Sequence, residues 1–98
     1  MTPEAADRLA ERRIELLAET KSHFLFGRDT CIALVERNGS GFGSIGSTGV
    51  MTESGLAYLV QHEQGVRLVG KGGTSEAAAG QIDAIQRFSE DLKTALGR

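Results

Sequence analysis

Asn38-Gly39-Ser40-Gly41-Phe42-Gly43-Ser44-Ile45-Gly46-Ser47-Thr48-Gly49 packs five of the chain's 13 glycines into twelve residues at its middle. Asn38-Gly39 tolerates the positive φ that a type I′ turn requires, so the chain reverses there. The segment before it, Thr30 to Arg37 (Thr-Cys-Ile-Ala-Leu-Val-Glu-Arg), is rich in β-formers and too short for a typical helix. It reads as a strand. A second strand follows from about Gly41 to Met51, and its glycines invite bulges, strong twist or close approach of another backbone.

Further on, Thr52-Glu53-Ser54-Gly55 makes a turn, Leu56 to His62 a third strand, Glu63-Gln64-Gly65 another reversal and Val66 to Gly70 a fourth strand. Connections this short favour antiparallel neighbours. At the N-terminus, Thr2 and Pro3 are a good helix start, with Glu4 favourable against the dipole. Leu9, Ala10, Ile14, Leu17 and Phe24 then recur at helical spacing, so one long helix is expected, ended by Gly27. Its other face carries Glu4, Asp7, Arg8, Glu11, Arg12, Glu15 and Glu19 and reads as solvated. Lys71-Gly72-Gly73 reads as a loop, and Thr74 or Ser75 as the cap of a last helix with the stripe Ala78, Ile82, Ile85, Phe88, Leu92, Ala95 and Leu96. The expectation is one α+β domain over residues 1–98, ordered α-β-β-β-β-α, a four-stranded antiparallel meander with long N- and C-terminal helices packed on the sheet.

At 98 residues there is room for one modest core. Hydrophobic residues make up 40% and charged residues 24%, ordinary for a folded globular chain. A net charge of -2 supplies no general attraction to phosphate backbones, which disfavours nucleic acid as a partner. No basic-then-apolar leader is visible in Met1-Thr2-Pro3-Glu4, and no apolar run reaches the roughly 20 residues that span a bilayer. With Cys31 as the single cysteine, a cytoplasmic, reducing location is expected. In that setting Asn38-Gly39-Ser40 is turn chemistry and not a glycosylation site.

The strands do not alternate as a sheet with one buried face would. Cys31, Ala33 and Val35 oppose Ile32 and Leu34, while Leu56, Tyr58 and Val60 oppose Ala57 and Leu59. Apolar surface on both faces predicts a homodimer.

Chemistry-bearing motifs are weak. Gly41-Phe42-Gly43-Ser44-Ile45-Gly46 matches G-x-G-x-x-G, but a dinucleotide site needs a helix after it. Gly65 to Gly72 nearly spells a phosphate loop, yet Gly72 stands where a magnesium-binding hydroxyl is required. A milder possibility remains, an anion or nucleotide held by the Gly-rich strand (Gly41, Gly43, Gly46) and by Lys71, Gly72, Gly73, Thr74 and Ser75 at a helix start. Cys31 could act as a nucleophile only beside a base such as His62, with Asp29 orienting it; the bland alternative is a small buried hydrophobe. Paired carboxylates occur at Glu11 with Glu15, Glu15 with Glu19, and Glu90 with Asp91, on helix faces with nothing to bury them. No metal spacing is present, and no cofactor is called for. The residues together predict a non-catalytic homodimeric binding or regulatory module with a protein partner, and, as the alternative, a small-molecule binder.

Overall fold

A computed structural model describes residues 2–39, 41–53, 55–63, 65–71 and 73–97. Among them are two helices, α1 (Pro3–Glu11) and α2 (Ala79–Ala95). Between the helices run β1 (Glu15–Glu19), β2 (His23–Arg28), β3 (Cys31–Asn38), β4 (Gly41–Thr52), β5 (Gly55–His62), β6 (Gly65–Gly70) and β7 (Gly73–Glu76). All seven strands form one antiparallel sheet in sequence order.

Thus β3 to β6 occupy the stretches read as strands, but the four-stranded sheet with a long N-terminal helix is overturned. Helix α1 starts as its sequence requires, with Thr2 Oγ1 accepting from the Ala5 amide at 3.2 Å and Pro3 in the first turn. It ends at Glu11, and Arg13 turns the chain with φ 58. A hairpin comes next. Thr20 Oγ1 accepts from the Ser22 and His23 amides and closes the turn between β1 and β2. Phe24 and Phe26 are two apart, and both are buried while Leu25 between them is half-buried, the period of a strand. Gly27 is therefore no helix cap; it lies inside β2, where a Cβ would collide with Leu17 of the neighbouring strand.

The C-terminal helix also starts later than expected. Thr74 and Ser75 pair with Val69 and Leu68 as part of β7, and Gly73 pairs with Gly70, so β6 and β7 form a hairpin and no helix starts at Thr74 or Ser75. The Ala78 amide is satisfied by the Gln81 carboxamide at 3.0 Å. Ile85, Phe88, Leu92 and Ala95 then recur at three- and four-residue steps and are all buried.

One core joins these elements. Phe24, Phe26, Ala33, Val35, Val50, Ala57 and Leu68 of the sheet pack with Leu9 of α1 and with Ile85, Phe88, Leu92 and Ala95 of α2. Both helices therefore cover the same face. Arg8, read as solvated, instead donates its Nε to the Ala95 carbonyl at 2.7 Å and ties α1 to the end of α2. Arg28 fastens the other end, donating to the Arg12 carbonyl at 3.1 Å and to Asp91 Oδ2 at 2.7 Å, with its guanidinium 5.6 Å from the centre of the Phe88 ring.

Candidate functional site

The glycine-rich segment forms the first part of β4. From Thr48 to Ile45 this strand takes three steps where β3 takes two, from Ala33 to Val35, and the same mismatch recurs between Ile45 and Phe42. Each mismatch is a bulge. Between them, Phe42 and Ile45 still reach the core, and Ser44, Gly46 and Ser47 are left exposed. Because β4 runs into β5 through a hairpin, the G-x-G-x-x-G string opens no helix and offers no helix N-terminus to a pyrophosphate.

Lys71, Gly73, Thr74 and Ser75 do come together, with Thr52, Leu56, Ala57, Leu68 and Gly70, around a cavity of about 200 Å³ at the β6–β7 hairpin. Gly72 lies outside the described residues. The helix start that was to supply free amides is not there, since α2 begins at Ala79 and the Thr74 and Ser75 backbones belong to β7. Nor does Gly41–Gly46 join this cavity. Its closest approach, Gly46, lies six residues along β4 from Thr52, which lines the cavity, about 20 Å at strand spacing. A cavity this small also falls below the roughly 300 Å³ at which ligand pockets begin. The described residues named for an anion site thus fall in two separate places, one on β4 and one at the β6–β7 hairpin.

Cys31 is buried at the start of β3, and desolvation pushes its thiol pKa up; a smaller lowering by Arg28 opposes this and the nearby Asp29 carboxylate adds a smaller raising. The register places it beside Val50 and, one strand on, Ala57, five residues from His62 along β5, about 17 Å. The register thus sets the backbone positions of Cys31 and residue 62 well apart. The folded thiol therefore keeps its proton to higher pH than the unfolded one. Native protein at pH 8 is expected to react with iodoacetamide about tenfold or more slowly than the denatured chain. Equal rates would show an activated or exposed thiol.

A groove of about 840 Å³ between α2 and the β2–β3 turn was not legible in the sequence, because its residues read as a solvated helix face and a turn. It is lined by Arg13, Arg28, Arg87 and Lys93, and equally by Asp29, Asp83, Glu90 and Asp91. Opposite charges cancel there, and Arg28 with Asp91 already form a pair. Among the described residues no three His, Cys, Asp or Glu side chains are placed to hold a metal ion, and no helix is long and apolar enough to cross a membrane.

The remaining surface is the sheet face turned away from both helices. Alternation and register put Leu17, Leu25, Ile32, Leu34, Met51, Leu56, Tyr58, Val60 and Val69 on it. Leu17, Met51 and Val60 are 47%, 46% and 38% exposed. Ile32, seated between Gly27 and Gly49 on the neighbouring strands, is 1% exposed yet lies outside the main core cluster. Glu15, Glu36, Arg67 and Glu76 belong to the same face by register and ring its apolar centre. No family model matches the chain, and no curated protein or solved structure matches it either.

Proposed function

We propose that the chain is a non-catalytic binding module that works as a homodimer, two copies joined through the helix-free faces of their sheets. The observation that carries this is the placement of both helices on one face, which leaves the other without a helix over it and Leu17, Met51 and Val60 there more than a third exposed. An apolar centre with tyrosine and methionine, a charged rim and no lysine has the composition of an interface. Size agrees. Seven strands about 4.8 Å apart and about five residues of strand length give a footprint near 500 Å² per copy, at the low end of specific interfaces. A second copy is the occupant favoured, because a two-fold contact sets each apolar centre against an identical one and lets two right-twisted sheets pack at about 30°. A buried, unpaired Cys31 fits work in a reducing compartment such as the cytoplasm.

The test is sedimentation equilibrium at micromolar concentration, on the wild type and on Met51→Asp. Met51 is half-exposed in the single chain, so the substitution spares the core, but two-fold symmetry places two carboxylates in each interface. The wild type is expected to be a dimer and the variant a folded monomer, its dissociation constant raised at least about 100-fold by burial of unpaired charge. A monomeric wild type, or a variant that dimerises equally well, would rule the assembly out.

A further inference from the structure

The ladder between β4 and β5 begins at Thr52 with Gly55 and stops at Gly49 with Tyr58. Regular continuation would pair Thr48 with Leu59 and Ile45 with His62, but the two strands part, each still paired on its far side, to β3 and to β6. Two facing strand edges are left inside the sheet. β4 and β5 approach closely at Gly49, where a Cβ would collide with the Ala57 carbonyl oxygen, and β4 takes its two bulges in the residues beyond that pair, where the ladder to β5 has ended.

Strand edges present rows of amides and carbonyls that pair with an incoming strand unless something guards them. The outer edges are guarded. β1 carries Glu15 and Glu19 and is broken by a bulge at Leu17, and β7 is four residues long and ends in Glu76. No charged residue and no proline occurs from Asn38 to Thr52, or from Leu59 to His62. At this fork Ile45 and Leu59 are only partly buried against the core, so alternate side chains of an added strand would meet apolar surface.

We propose that the fork between Ile45–Thr48 and Leu59–His62 is a strand-addition site, which binds an extended, proline-free peptide segment of a partner protein with apolar side chains at every second position. Main-chain hydrogen bonds would supply affinity and the Ile45–Leu59 surface the preference for alternation. The site rests on the proposed reading of the chain as a binding module, but it uses a sheet edge where the dimer uses a sheet face.

The probe is a displayed library of random twelve-residue peptides selected against the full chain, with binding of enriched peptides measured to the wild type and to a Ser44→Lys, Ser47→Lys variant. Both serines are exposed, so lysines there charge the edge without touching the core. Enriched peptides are expected to be free of proline and to alternate, to slow amide exchange at Ile45–Thr48, and to bind the variant at least about tenfold more weakly. No enrichment, or enriched peptides that bind the double variant equally well, would overturn the site. So would loss of the dimer in this variant, since the fork would then be the contact between copies; a monomeric wild type, or a Met51→Asp variant that still dimerises, with peptide binding retained removes the assembly reading alone.

Discussion

Phe26→Ala is expected to lower the free energy of unfolding by about 3–5 kcal/mol. Phe26 is 0% exposed and forms a triangle with two other rings, its centroid 6.0 Å from Phe24 and 6.0 Å from Phe42. Its partner across the β2–β3 ladder is Ala33, also 0% exposed, which is too short to fill the space a lost ring leaves. A chain of this length has about 5–15 kcal/mol in total, so the variant should sit close to unfolding at room temperature. Phe42 is half-buried at the rim of the trio, and Phe42→Ala should cost about 1.5–3 kcal/mol. Urea titrations of the three proteins check the ordering, with m unchanged if the denatured state is the same. A Phe26 cost below that of Phe42 would mean that residues 23–28 are not an inner strand of the sheet.

That same strand explains why part of the fold was hidden. Leu9, Ile14, Leu17 and Phe24 fall at spacings a helix would use, and nothing between Glu11 and Glu15 announces a stop, because the turn is made by Arg13 and not by glycine or proline. The decisive pattern is only three residues long, Phe24-Leu25-Phe26, and its strand character comes from pairing with β3. At the other end Thr74 and Ser75 are helix-capping residue types, yet Gly73, with φ 115, follows a turn at Lys71 and opens β7 instead. The central strands were legible because each is bounded by residues that reverse a chain by their own chemistry.

The candidate surfaces divide in the same way. Apolar residues on both faces of β3 and β5 could be read directly, since alternation depends only on sequence. Which face the helices cover could not, because it depends on Arg8 reaching Ala95 and Arg28 reaching Asp91 across 87 and 63 positions of chain. The charged groove and the fork share that origin. Each is a relation between segments that are individually ordinary.

Gly49→Ala is expected to destabilise the chain by about 3 kcal/mol, while Gly41→Ala and Gly46→Ala are neutral or stabilise it by about 0.5 kcal/mol. The three glycines share one strand and differ in what a methyl group would meet. At Gly41 and Gly46 the nearest atoms, the carbonyl oxygens of Asn38 and Leu34, are 3.6 and 3.4 Å away, ordinary contact distances, and neither glycine has a positive φ. At Gly49 a Cβ would run into the Ala57 carbonyl oxygen and lie 2.7 Å from the Tyr58 Cα. Those are backbone atoms in a ladder, so relief requires β4 and β5 to separate at the pair where their ladder already ends. Thermal or urea unfolding separates the cases within one set of purified variants. Equal costs at Gly41, Gly46 and Gly49 would mean that the strand needs glycine along its whole length, as a backbone-binding ligand site would, whereas a cost confined to Gly49 makes the glycine-rich segment a device for bending the sheet and opening the fork.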